Sequence, residues 1–103
     1  MGLSFMSQED REGAALIVIY DGRELERRRW EREKSIIEDR GFEVYLLAID
    51  DEDGEEVRDF YDLDPNQTPL VLIVRDNDEV VANWSGESIP ATDQIIFTLN
   101  QTS

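Results

Sequence analysis

The 103 residues contain no cysteine, no histidine, only three prolines and a single lysine, Lys34. Without a thiol there is no disulfide and no thiolate nucleophile, and without imidazole the chain lacks the side chain best suited to moving protons near neutral pH. Thiol–disulfide exchange, cysteine-nucleophile catalysis and histidine-based chemistry are thereby excluded for these residues. No apolar run approaches the roughly 20 residues that a membrane-spanning helix needs. Positions 1–13 (MGLSFMSQEDREG) do not have the charged start, apolar stretch and cleavage site of a secretory signal, so a cytoplasmic location is expected. No glycine-rich phosphate loop, nucleophile elbow or metal-ligand cluster is present either, and neither a cofactor nor a metal is expected.

Acid is abundant. Against 10 basic residues stand 25 acidic ones, a net charge of −15, while the apolar fraction of 40% is that of a folded domain rather than a disordered tail. A field of this sign repels phosphate backbones and anionic membrane surfaces, so neither nucleic acid nor membrane is an expected partner. Plain solubility accounts for the acidity; adaptation to high salt, where screening removes the self-repulsion, is the alternative. The length fits one domain with a modest core. A flexible segment over 1–13 and a single domain over 14–103 are expected.

Ala15-Leu16-Ile17-Val18-Ile19-Tyr20 is a continuous apolar run of the kind found in strands covered on both faces. From Arg23 to Arg40 the chain is rich in helix formers, with Gly41 as a C-cap candidate. Glu43 to Ile49 reads as a second strand opening on the acidic loop Asp50-Asp51-Glu52-Asp53. Gly54 to Asp62, with Val57, Phe60 and Tyr61 at helical spacing, reads as a short amphipathic helix. Leu70 to Val74 is another buried strand. Glu79 to Trp84 is its hairpin partner across the turn residues Asp76-Asn77-Asp78. After Gly86, Pro90 opens a last helix with the stripe Ile95, Ile96 and Leu99. The order is β-α-β-α-β-β-α, which implies a mixed α/β sheet with parallel crossovers first and an antiparallel hairpin later.

This order, with Thr68-Pro69 directly before the third strand, resembles the thioredoxin-like fold over roughly Ala14 to Gln101. Tyr20 before the long helix, Phe42 to Asp50, Tyr61-Asp62-Leu63 leading to Thr68-Pro69-Leu70, and Trp84-Ser85-Gly86 before a helix carry the resemblance. It implies a four-stranded mixed sheet with helices on both faces. It also implies a cis bond before Pro69, and a Thr68 backbone held open to an extended partner chain. Redox members of that family place a Cys-x-x-Cys pair at the start of the first helix. Here that window is Asp21-Gly22-Arg23-Glu24-Leu25-Glu26, with no sulfur, and the first strand has Val18 and Ile19 where many such members carry a buried acid.

Asp21 and Glu24 invite a general acid/base or cation-holding role. A helix cap, with Asp21 as N-cap and Glu24 at the third helical position, accounts for them more simply. Six basic residues (Arg23, Arg27, Arg28, Arg29, Arg32, Lys34) fall among four acidic ones between positions 23 and 34, a local +2, while the other four basic and 21 acidic residues leave −17 elsewhere. Glu24–Arg28, Arg29–Glu33 and Glu31–Lys34 have the spacing of helix-surface pairs. The same stretch is a candidate docking surface for an acidic partner, including a second copy of the chain. On a helical wheel Leu25, Trp30, Ile36 and Ile37 form an apolar face on which Arg29 and Glu33 encroach. The acidic run 50–56 lacks the ligand spacing of an EF-hand, and Trp30, Tyr45, Trp84 and Phe97 are expected to be core or half-buried. The leading reading is a non-catalytic domain that binds a protein or peptide in a groove between Tyr20, Asp21, Gly22, Arg23, Glu24 and Thr68, Pro69. A small enzyme using Asp21 or Glu24, and an acidic decoy of nucleic acid, are the alternatives.

Overall fold

A computed structural model describes residues 13–75 and 79–102. The expected flexible segment over 1–13 lies, Gly13 apart, outside the described residues, as does the turn Asp76-Asn77-Asp78. In chain order the elements are strand β1 (Ala15–Tyr20), helix α1 (Glu24–Glu38), strand β2 (Glu43–Ala48), helix α2 (Glu52–Tyr61), strands β3 (Leu70–Val74) and β4 (Val80–Ser85), and helix α3 (Thr92–Thr102). Single 3-10 turns at Pro65–Gln67 and Gly86–Ser88 precede β3 and follow β4.

Every residue of β1 and of β3 is buried. Such strands need a neighbour on each edge and a layer on each face, and the sheet supplies both. Its order is β2-β1-β3-β4, with β1 parallel to β2 and antiparallel to β3, and β4 antiparallel to β3. Alternation along β1 divides the core. Leu16, Val18 and Tyr20 pack with Trp30 and Ile37 of α1 and Ile95, Ile96 and Leu99 of α3. Ala15, Ile17 and Ile19 pack on the other face with Val57 of α2.

Helix α2 begins at Glu52, two residues before the expected start, and absorbs much of the acidic stretch. Glu52, Asp53 and Glu55 occupy its first turn, where negative charge suits the positive end of the helix dipole. It also lies very close to β2. A Cβ placed on Gly54 would stand 2.3 Å from the Ala48 carbonyl oxygen, so only glycine allows this approach.

Helix α1 is rotated from the orientation the wheel suggests. Trp30 and Ile37 are buried, whereas Leu25 is 80% and Ile36 42% exposed. The helix rests instead on a stripe that includes half-buried Glu26 and Glu33. Glu33 is accommodated because Thr92 Oγ1 at the start of α3 donates a hydrogen bond to its Oε2. The expected Arg29–Glu33 pair is replaced by this bond and by a contact of Arg29 with Glu26 at 3.9 Å. Glu24–Arg28 forms at 3.3 Å, while Glu31 is met by Arg27 at 3.9 Å rather than by Lys34. Of the four aromatics expected to be packed, Trp30 is buried, Tyr45 and Trp84 are partly buried, and Phe97 is 54% exposed.

Gly54→Ala tests the seating of α2. In an open helix the change raises stability by up to about 1 kcal/mol. Here the methyl group would strike backbone, and a loss of about 1–3 kcal/mol is expected as an earlier urea midpoint. A later midpoint would show that α2 does not sit this close to β2.

Candidate functional site

The topology sends the C-terminal ends of β1, β2 and β4 and the N-terminal end of β3 to one edge of the sheet. Ile19 is opposite Leu70, Tyr20 is opposite Ala48, and Leu70 is opposite Ser85. The stretches Tyr20–Arg23 and Thr68–Pro69 singled out in the sequence thus emerge side by side. Two further stretches that sequence reasoning left out, Ala48–Asp51 and Ser85–Gly86, emerge with them. Only the strand order could have placed them there.

Tyr20 closes β1, its carbonyl accepting from Ile49 N at 2.7 Å. Its ring lies in the α1/α3 core. Burial pushes the phenol above its ordinary value of 10.0. Arg27 opposes the shift, and Asp51, Glu31 and Asp50 add to it. The hydroxyl therefore stays protonated at neutral pH. After it the chain turns at Gly22, whose φ of +86° glycine adopts without strain.

The capping box does not form. Arg23 occupies the N-cap position without a side-chain bond, and Glu24 is the first helical residue rather than the third. Asp21 lies two residues too early to cap. Its Oδ1 accepts from Arg23 N at 3.0 Å in an Asx turn, and its Oδ2 meets Arg23 Nε at 3.1 Å. The Gly22 turn moves Asp21 off the helix axis, and the spacing alone could not show this. Glu24 accepts from Arg28 and lies 3.8 Å from Arg27. Both carboxylates are thus tied to exposed arginines at the protein surface, and surface pairs of this kind contribute at most about 1 kcal/mol.

Thr68 differs from its neighbours. The Thr68–Pro69 peptide bond is cis. The Pro69 carbonyl accepts from Gly86 N at 3.0 Å, which anchors the strand entrance. Asp64 caps the preceding 3-10 turn, its Oδ1 accepting from Asn66 N at 2.9 Å. Between these two anchors Thr68 is partly buried, and among the described residues none forms a hydrogen bond with its amide, carbonyl or hydroxyl. Partly buried backbone groups are ordinarily paired, so this peptide unit offers a free donor and acceptor at the edge of the sheet.

Two cavities, of about 260 and 210 Å³, lie away from this edge. One is lined by Arg40, Asp93, Ile96, Phe97 and Asn100, the other by Arg29, Trp30, Glu33, residues 89–92 and Ile95. Among the described residues no group of three or more acidic side chains is arranged to hold a metal ion, and no helix is long and apolar enough to cross a membrane.

Because folding raises the Tyr20 pKa, the folded state holds the phenolic proton more tightly. The associated stability is fully present below about pH 10 and is lost as pH rises through the folded value. Tyr20→Phe should flatten the alkaline fall of the guanidinium midpoint between about pH 9 and pH 11. An unchanged slope would mean that the phenol is solvated.

No protein-family model matches the chain, and no curated protein matches it by sequence. Solved structures do. Thioredoxin f2 of Chlamydomonas reinhardtii superposes with a TM-score of 0.63 at 14% identity, covering 91% of this chain and 82% of that one. A thioredoxin from Thermus thermophilus gives 0.54 at 15% identity, over 86% and 72%. The N-terminal domain of SasA from Synechococcus elongatus gives 0.51 at 22% identity, over 97% and 91%. The chain has a thioredoxin-like fold without cysteine, and likeness at these identities reaches no further than the fold.

Proposed function

We propose that the chain is a non-catalytic, cytoplasmic binding domain that takes an extended protein or peptide segment along the edge formed by Tyr20, Asp21, Gly22, Arg23, Glu24, Thr68 and Pro69. The observation that carries this reading is the unpaired Thr68 peptide unit at the entrance to β3. An incoming segment would pair its backbone there, as one more strand-like partner. The neighbouring side chains favour recognition over reaction. Asp21 and Glu24 are engaged by arginines, and the buried phenol of Tyr20 keeps its proton. Backbone pairing supplies affinity without sequence demand, and the residues flanking the edge would select the segment. The acidic Ala48–Asp51 stretch, whose Asp50 and Asp51 act electrostatically on the Tyr20 phenol, favours a segment carrying basic side chains.

The test is selection of extended peptides from a displayed library against the native protein, followed by titration of the selected sequences. Thr68→Trp, which places a bulky ring over the free peptide unit, should weaken them at least about tenfold, or about 1.4 kcal/mol, with the thermal midpoint unchanged. Asp21→Asn should change the preference for basic peptides and leave neutral ones unaffected. Affinities indifferent to Thr68→Trp would refute the proposal.

A further inference from the structure

Four large apolar side chains of the described residues are exposed: Leu25, Ile36, Phe60 and Phe97. Three lie on the α1/α3 side of the sheet, Leu25 and Ile36 on the arginine-rich α1 and Phe97 on α3, and the fourth lies on α2 among acids. Leu25, Arg29, Arg32 and Ile36 recur at intervals of four, three and four, which puts them on one stripe of α1 with the spacing of a helix-packing seam. The stripe spans about 17 Å. Phe97 and Arg40 continue it at the seam of α1 and α3, where with Asp93, the one acid there, they line the cavity of about 260 Å³. Among the described residues nothing forms an ion pair with Arg32 or Arg40, although the chain carries 25 acidic side chains. On the opposite face of the sheet α2, about 15 Å long, exposes Glu52, Glu55, Asp59 and Phe60.

We propose that these two surfaces bind each other between copies, α2 of one molecule docking on the α1/α3 face of the next. The match is one of sign, shape and length: an acidic helix with one phenylalanine against a basic stripe with aliphatic ends. A two-fold contact of α1 with itself is disfavoured, because the stripe read antiparallel sets Arg29 against the second copy's Arg32. Since the two surfaces lie on opposite faces of the sheet, the contact does not close on itself, and copies add head to tail. The net charge of −15 opposes the assembly at long range. At about 0.15 M salt the Debye length of about 8 Å screens that repulsion more than it screens ion pairs in contact.

Sedimentation velocity of the native chain at that salt, from about 10 μM to about 1 mM, reads the association. The weight-average mass should climb with concentration without settling at a dimer. Arg32→Glu/Arg40→Glu and Glu55→Lys/Asp59→Lys should each sediment as monomers, with circular dichroism showing the native fold. Each reversed face repels its unreversed counterpart, so an equimolar mixture of the two should regain mass to within about threefold of the native affinity. A mixture that stays monomeric would overturn the proposal. So would a dimer of fixed mass indifferent to both variants, which would place the interface elsewhere. A native chain that is monomeric throughout, yet binds a fluorescent acidic helical peptide through Arg32 and Arg40, would overturn it as well and assign the face to a different protein.

Discussion

Strand β1 has no solvent side. All six of its residues are buried, and a strand in that position leaves few choices for the rest of the chain. It requires β2 and β3 on its edges, α1 and α3 over Leu16, Val18 and Tyr20, and α2 over Ala15, Ile17 and Ile19. Burying a run of this kind supplies about 1.5–3 kcal/mol for each large side chain, more than any surface ion pair found here can contribute. The location of the candidate site follows. The open end of β1 lies in the middle of the sheet edge, so whatever leaves it at Tyr20 meets the ends of its neighbours.

What the sequence made legible follows from the same asymmetry. Uninterrupted apolar runs of five or six residues such as 15–20 and 70–74 are short and rich in β-branched side chains, which favours buried strands, and both strands occupy those bounds. Charge-rich helices are less determined. The wheel for α1 groups Leu25, Trp30, Ile36 and Ile37 on one apolar face. The structure buries only Trp30 and Ile37 of these, with Glu26 and Glu33 half-buried beside them. The deciding partner, Thr92, is 59 residues away from Glu33, and no local pattern reports it. The start of α2 was obscured for a related reason. Consecutive acids read as a loop, yet at a helix N-terminus they are stabilising.

The strand order β2-β1-β3-β4 brings the end of β1 at Tyr20 beside the start of β3 at Leu70, whereas the expected helix cap at Asp21 does not form. The role of Asp21 depends on a single turn. With Gly22 at φ +86°, the carboxylate reaches the Arg23 amide instead of the first turn of α1. The alternation of basic and acidic residues along α1 has the spacing of helix-surface pairs, and in part it forms them, through Glu24 with Arg27 and Arg28. That stitching engages the arginines at the start of the helix, and among the described residues it leaves Arg32 farther along α1, and Arg40 just beyond its end, without ion pairs.

The absence of sulfur has a physical consequence beyond the lost reaction. In redox proteins that this chain resembles, the start of the first helix holds a thiolate, which the positive end of the helix dipole stabilises. Here the same end is already occupied by negative charge, with Glu24 and Glu26 in the first turn and Asp21 just before it. A second anion placed there would meet repulsion as well as attraction. These acids offset part of the dipole's attraction for an anion, and Arg23, Arg27 and Arg28 in turn offset part of theirs. What the edge retains is its backbone, and the free peptide unit at Thr68 does not depend on the charge of its surroundings. A contact built on that unit would draw on backbone hydrogen bonds and would not require a reactive group at the helix mouth.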